Sequence, residues 1–231
     1  MLVMVVVVET PGSPLPIRAC WLSWIAVHGA GQAELAALLG LTGVRETTWA
    51  EGADLVDDVA HSGEERFSTV VIPPPINAWT LVIGAWVGLP YLERTAYVTE
   101  LCRQLSAEFG RAHAYFHSEQ NDGEAWLIAE DGRVVRRWIA EYPGLALGEP
   151  FGVERRLLDE FGIPGRPEDL DPEDDRASSW GASWGECWAP VVAAESSIDP
   201  RQIGPETAAP GVVLVADTPL PDGQSEGMAP S

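Results

Sequence analysis

Two histidines in the segment AHAYFHSE have a spacing that can do chemistry. His113 and His117 form an H-x-x-x-H pair, which on a helix would bring both imidazoles within reach of one metal ion. The adjacent Tyr115 and Phe116 and the NDG turn signal at 121–123 predict a strand instead. Four residues of strand span roughly 13 Å, too far for the two rings to share an ion. The sequence therefore predicts no metal site here.

Motifs that carry a known reaction are missing from the chain. It contains no G-x-S-x-G, no H-E-x-x-H and no glycine-rich phosphate loop, and no pattern in it asks for a cofactor. Neighbouring acids such as Asp57 and Asp58 can serve acid–base chemistry only if folding sets their separation. We therefore expect no cofactor and identify no catalytic residue from the sequence.

Tryptophan is the unusual residue type, with ten in the chain. Trp180, Trp184 and Trp188 recur every four residues in SSWGASWGECW and would form one aromatic stripe on a helix. Such a stripe can stack on a sugar, a peptide or a partner chain. The alternative is that the three rings fold back over a face of the sheet, since large aromatic side chains are mostly buried.

Three further residues are candidate ligand contacts. In RVVRRWIAE, Arg136 shares a strand face with Trp138, so it can anchor an anion or a carboxylate; a structural salt bridge is the alternative. In VVIPPPINAWTLVIG, we predict two core strands around a proline-stiffened corner, with Trp79 as packing. If Asn77 and Trp79 instead line a concave pocket, that corner becomes a binding site.

The charge balance limits the class of partner. The chain has 35 acidic and 14 basic residues, a formal charge of −21, and all of its basic residues are arginine. Nucleic acids and anionic membranes are disfavoured because both are bound by clustered cations. A basic protein partner is favoured by the same field.

The cysteines and the first residues bear on the compartment. Three widely spaced cysteines form no disulfide framework, which suits a reducing cytoplasm. The start, MLVMVVVVETPGSP, lacks a positive segment and is too short to span a bilayer, so residues 1–17 are predicted as a strand or an extension. We expect a cytoplasmic protein.

Strands and helices alternate along the middle of the chain. The clearest periodicity lies in 92–109, where Tyr97, Leu101, Leu105 and Phe109 repeat at every fourth residue beside Val98 and Cys102. Residues 42–65 are polar and predicted as loop. The remaining predictions, in chain order, are a strand at 18–27, a helix at 31–41, strands at 66–73 and 76–86, a three-stranded meander between 112 and 141, and a helix at 152–162.

These elements predict an α+β core domain at 18–162, with a mixed, mainly antiparallel sheet and helices packed on it. An irregular acidic extension is expected to follow. Residues 163–205 are predicted as an acidic, Trp-rich linker with one short helix, and 206–231 as a disordered tail with one candidate strand at GVVLVAD.

The segments PINAWTLVIG and LSAEFG, followed by the Trp-bearing meander, resemble a group of uncharacterised bacterial proteins with a P-x-I-N-x-W-T-L-V-x-G pattern. The resemblance covers roughly residues 49 to 154. It implies a shared fold and no activity, and it carries over no catalytic residue.

Two functional hypotheses of different classes follow. The first is a non-enzymatic binding protein of immunity or regulatory type that covers another protein. The second is a hydrolase-like enzyme that acts on a small molecule with Asp, Glu and His outside any recognisable motif. A deep pocket with a strongly shifted carboxylate or imidazole pKa favours the enzyme, and an aromatic surface without one favours the binding protein.

Overall fold

One eight-stranded sheet organises the chain. The structure is a computed structural model that describes residues 12–62, 67–119, 123–171, 173–174, 176, 180 and 188–219. The strands are β1 (Trp21–His28), β2 (Thr42–Thr47), β3 (Thr69–Ile72), β4 (Trp79–Ile83), β5 (Arg111–Ser118), β6 (Glu124–Glu130), β7 (Arg133–Ile139) and β8 (Val213–Asp217). The helices delimited within the described ranges are α1 (Gln32–Leu38), α2 (Trp49–Ala60), α3 (Leu92–Phe109), α4 (Gly152–Glu160) and α5 (Trp188–Ser196).

The strand order across the sheet is β2-β8-β3-β4-β1-β5-β6-β7. Every paired neighbour is antiparallel. Because successive side chains of a strand point to opposite faces of the sheet, each strand contributes residues to both layers of the core. One face packs against α2, α4 and α5, and the other against α1 and α3. The predicted α+β class is confirmed, and the sheet has helices on both faces.

The long helix and the meander match their sequence signals. Helix α3 has the predicted bounds and buries Val98, Cys102 and Leu105 against the sheet. Tyr97 lies at the margin of that stripe and is 44% exposed. Strands β5, β6 and β7 form the predicted meander, with Asp131 and Gly132 at positive φ in the second turn.

The loop predicted for residues 42–65 is wrong. That stretch contains edge strand β2, whose side chains are mostly exposed, followed by helix α2. Thr48 caps α2, and its hydroxyl accepts a hydrogen bond from the Glu51 backbone N–H at 3.2 Å, the capping-box arrangement. The buried side of α2 is the widely spaced set Trp49, Val56 and Ala60. Such a thin apolar stripe among acids resembles a loop in sequence.

The C-terminal part belongs to the domain more fully than predicted. The candidate strand GVVLVAD, the exception within the tail predicted as disordered, supplies β8, which lies between β2 and β3. In the predicted linker, Ile163, Trp188 and Val192 join the core beneath the sheet. Residues 1–11 and 220–231 lie outside the described part, and 12–17 form no strand.

Hydropathy adds one finding about the helices. Within the described ranges, none of them combines the length and apolar character needed to cross a bilayer.

Candidate binding pocket

One tryptophan of the described residues differs from the others in its exposure to solvent. Nine of the ten lie among the described residues, and eight of those nine are buried with 6% or less of their surface exposed. Trp21, the first residue of β1, is the remaining one, and it is half-buried. Trp24, Trp79, Trp86, Trp126 and Trp138, which all lie in segments that the sequence predicts as strands, are therefore part of the core.

The predicted stacking stripe does not face solvent. Trp180 and Trp188 are each 2% exposed, and their rings stack on each other at 5.9 Å between centroids. Trp180 also meets the edge of Trp126 on β6, so the pair covers a sheet face, the alternative considered above. Trp184 lies outside the described residues.

Arg136 is a structural cation rather than a ligand anchor. It is fully buried in β7, and its guanidinium donates hydrogen bonds to Glu154 and Glu168 at 2.7–3.1 Å and to the Gly148 carbonyl oxygen at 3.0 Å. Burial raises the pKa of Glu154, and the hydrogen bond and charge of Arg136 oppose that shift. All three guanidinium nitrogens already donate to protein oxygens, so Arg136 has no donor left for an incoming anion.

The corner after the prolines is a tight turn. Ile76 and Trp79 exchange two backbone hydrogen bonds of 2.8 Å around Asn77 and Ala78. Exposed Asn77 borders a shallow cavity of about 200 Å³ with Ser197 at the end of α5. Trp79 is not part of that lining; it is buried against a neighbouring histidine. The two residues therefore do not line one pocket.

A buried hydrogen-bond chain runs along β5 beneath α5. His113 Nδ1 and the Tyr115 hydroxyl are 3.1 Å apart, and that hydroxyl is 2.9 Å from Ser197 Oγ. Trp79 packs on the His113 ring at 4.9 Å. Burial lowers the pKa of His113 to about 3, helped by the charges of Arg111 and His28. An imidazole with so low a pKa is a weak general base at neutral pH.

His117 is also buried, and among the described residues neither of its ring nitrogens lies within hydrogen-bond distance of a partner. Burial lowers its pKa, and the charge of Arg201 adds to the shift, while Glu119 opposes it from 3.8 Å. The part of the chain that the structure describes brings together no group of three or more His, Cys, Asp or Glu side chains suited to a metal ion.

Trp21 forms one wall of a pocket of about 250 Å³ on the α3 side of the sheet. Strands β1 and β5 place Trp21 opposite Ser118, and Phe116 lies two residues back on the same face of β5. Tyr91, just before the first residue of α3, closes another side. The described residues that line it are Trp21, Pro90, Tyr91, Phe116, Ser118, Gly123 and Glu141.

Gly123 keeps this pocket open. A Cβ built at this position would lie 3.1 Å from Phe116 Cε1 and 3.8 Å from Glu141 Oε1. Any larger residue at 123 would therefore project between the aromatic ring and the carboxylate. We call this site, defined by Trp21, Tyr91, Phe116 and Glu141, the aromatic pocket.

The electrostatics of the aromatic pocket are one-sided. Among the described residues its lining includes one acid, the exposed Glu141, and no basic side chain. Trp21 also touches the ring of His61 at 5.8 Å, just after the last residue of α2. Four acidic residues of α2 are exposed to solvent: Glu51, Asp54, Asp57 and Asp58.

The aromatic pocket has no signature in the amino-acid sequence. The neighbours of Trp21 in RACWLSWIAV predict a buried strand, so its sequence context indicates core packing. The feature that indicates partial exposure of Trp21 is its position at the very start of that strand, where a side chain extends past the end of the core. Tyr91 and Glu141 are far away in sequence, and only folding brings them together.

Comparisons of the chain with protein-family models, with curated proteins and with solved structures found no match. The resemblance to an uncharacterised bacterial group therefore stays a prediction.

Proposed function

We propose that this protein is a non-enzymatic binding protein for a basic protein partner, of immunity or regulatory type, and that the aromatic pocket is the centre of its contact. The observation that carries the proposal is the exposure of Trp21 at that pocket, while the other tryptophans of the described ranges are buried. Partly exposed aromatic residues in pockets are the usual energetic centres of protein interfaces.

The charge of the molecule supports a basic partner. A formal charge of −21 produces a negative field around the whole chain, and such fields accelerate the encounter with a protein of opposite sign. Glu141 at the rim and the acids of α2 beside Trp21 place part of that charge next to the aromatic pocket. We also propose a cytoplasmic location, on the basis of the sparse cysteines.

The test is affinity purification of the tagged protein from its own host, comparing wild type with Trp21→Ala. We expect a stoichiometric partner with an excess of Lys and Arg, released by salt because screening weakens charge attraction. Trp21→Ala should lose it. Leu38→Ala, which truncates a 56% exposed residue on α1, is the matched control and should retain it.

Three results would count against this function: recovery of no stoichiometric partner, recovery of an acidic one, or equal recovery with wild type and Trp21→Ala. Circular dichroism of each variant confirms that the loss is not due to unfolding.

A further inference from the structure

We propose that the aromatic pocket binds a single cationic group, the guanidinium or ammonium of an Arg or Lys side chain of the partner. This inference rests on the proposed function and specifies the chemistry of its site. It commits the pocket to one kind of occupant, a basic side chain inserted from a protein surface.

The aromatic walls provide the first argument. Trp21, Tyr91 and Phe116 surround the cavity, and the faces of aromatic rings attract cations through their quadrupoles, with tryptophan the strongest of the three. At about 250 Å³ the pocket is below the usual range for a drug-sized ligand and suits the end of one long side chain.

The carboxylate provides the second argument. Within the described residues, Glu141 makes no ion pair or hydrogen bond, although several other exposed acids of the chain are paired with arginine. Its Oε1 lies 3.8 Å from the position of a Cβ at Gly123, so the charge is at the mouth of the pocket. An unpaired carboxylate beside aromatic rings favours a cation and repels an anion.

The same geometry disfavours an anionic occupant. Among the described residues no Arg or His lines the pocket, and Trp21 contacts His61 just after the last residue of α2, a helix with four exposed acids. A phosphate or carboxylate ligand would require donors that this lining does not supply.

The test uses a defined probe, N-acetyl-arginine amide, and its neutral near-isostere N-acetyl-citrulline amide. The indole N–H signal of Trp21, assigned with Trp21→Phe, is followed by NMR during titration. We expect saturable binding of the arginine probe at roughly 1–10 mM, as a few weak contacts allow, and at least about tenfold weaker binding of citrulline. Added salt should weaken only the arginine probe.

Two variants locate the site. Glu141→Gln should weaken the arginine probe by about two- to fivefold, the effect of one exposed ion pair. Gly123→Ala narrows the cavity without changing its charge and should weaken the probe by a similar or larger factor. Glu130→Gln, an exposed acid at the far end of β6, is the control and should change nothing.

Equal binding of arginine and citrulline probes, or no saturable shift of the Trp21 signal, would overturn the cation assignment. Neither of these results removes the partner itself, whose existence the purification tests separately.

Discussion

Ala78 has a backbone conformation that glycine adopts far more easily. Its φ is 67° and that of Asn77 is 48°, the pair of positive values that a two-residue type I′ hairpin turn requires. Asn tolerates this region, whereas the Cβ of alanine is crowded in it. The turn is nevertheless held by the paired bonds between Ile76 and Trp79 and by a bond from the Gly29 N–H to the Ala78 carbonyl oxygen at 2.7 Å.

Replacing this alanine with glycine should therefore stabilise the protein. We expect Ala78→Gly to raise the free energy of unfolding by about 0.5–1 kcal/mol, since the relief of strain exceeds the added chain entropy. The measurement is urea denaturation. Ala50→Gly, at an exposed position in the first turn of α2, is the control and should lower stability, by less than the roughly 1 kcal/mol that glycine costs in a helix interior. A loss of stability in Ala78→Gly would contradict the role of the turn.

At the scale of elements, β8 attaches the edge strand to the rest of the sheet. Strand β2 pairs with β8 within the sheet, and β8 in turn pairs with β3. Val213 and Val215 of β8 also face the core that contains α2. Five residues near the C-terminus thus hold β2 in place and cover part of a helix.

Two truncations test this arrangement. A chain ending at Pro219 keeps all of β8 and the bond from the Thr218 hydroxyl to the Phe67 carbonyl oxygen, so we expect a cooperative unfolding transition like that of the full chain. A chain ending at Val212 loses β8 and should expose β2 and α2, with a large loss of stability or aggregation. Calorimetry measures the thermal stability of both truncated chains. Equal stability of the two would contradict the structural role of β8.

How far the sequence predicts these elements depends on how strongly each is patterned. Helix α3 is recognisable because Val98, Cys102 and Leu105 repeat along one face with polar residues opposite. Strand β2 has no alternation because most of its side chains face solvent at a sheet edge. The aromatic pocket is least predictable, since burial of Trp21 is set by where its strand begins relative to Tyr91 and Glu141.

Lowering the pH has two opposing effects on the stability of the whole molecule. Protonating carboxylates reduces the self-repulsion of a chain with a formal charge of −21. Buried histidines act in the opposite sense. Burial lowers the pKa of His113 from its ordinary value of 6.5 to about 3, and burial also lowers the pKa of His117. Between pH 6.5 and about 3, His113 therefore binds a proton in the unfolded chain and stays neutral in the folded protein.

The stability contributed by neutral His113 is therefore complete above pH 6.5 and is lost as the pH falls toward 3. We expect a slope of up to about 1.4 kcal/mol per pH unit from this one group. His113→Phe should remove that part of the slope in urea denaturation. Tyr115→Phe loses the same hydrogen bond but keeps the imidazole, so it should retain the slope. Parallel pH profiles for wild type and His113→Phe would refute this.

The place of β8 in the sheet also orders events during synthesis. Strands β1 and β3 to β7 can all pair once residue 139 has left the ribosome, but β2 must wait for a partner that is made some 170 residues later. Until then its backbone donors and acceptors stay open to water or to another chain, the condition under which nascent proteins aggregate. The exposed polar and charged side chains of Thr42–Thr47 suit a strand that must remain dissolved during that interval.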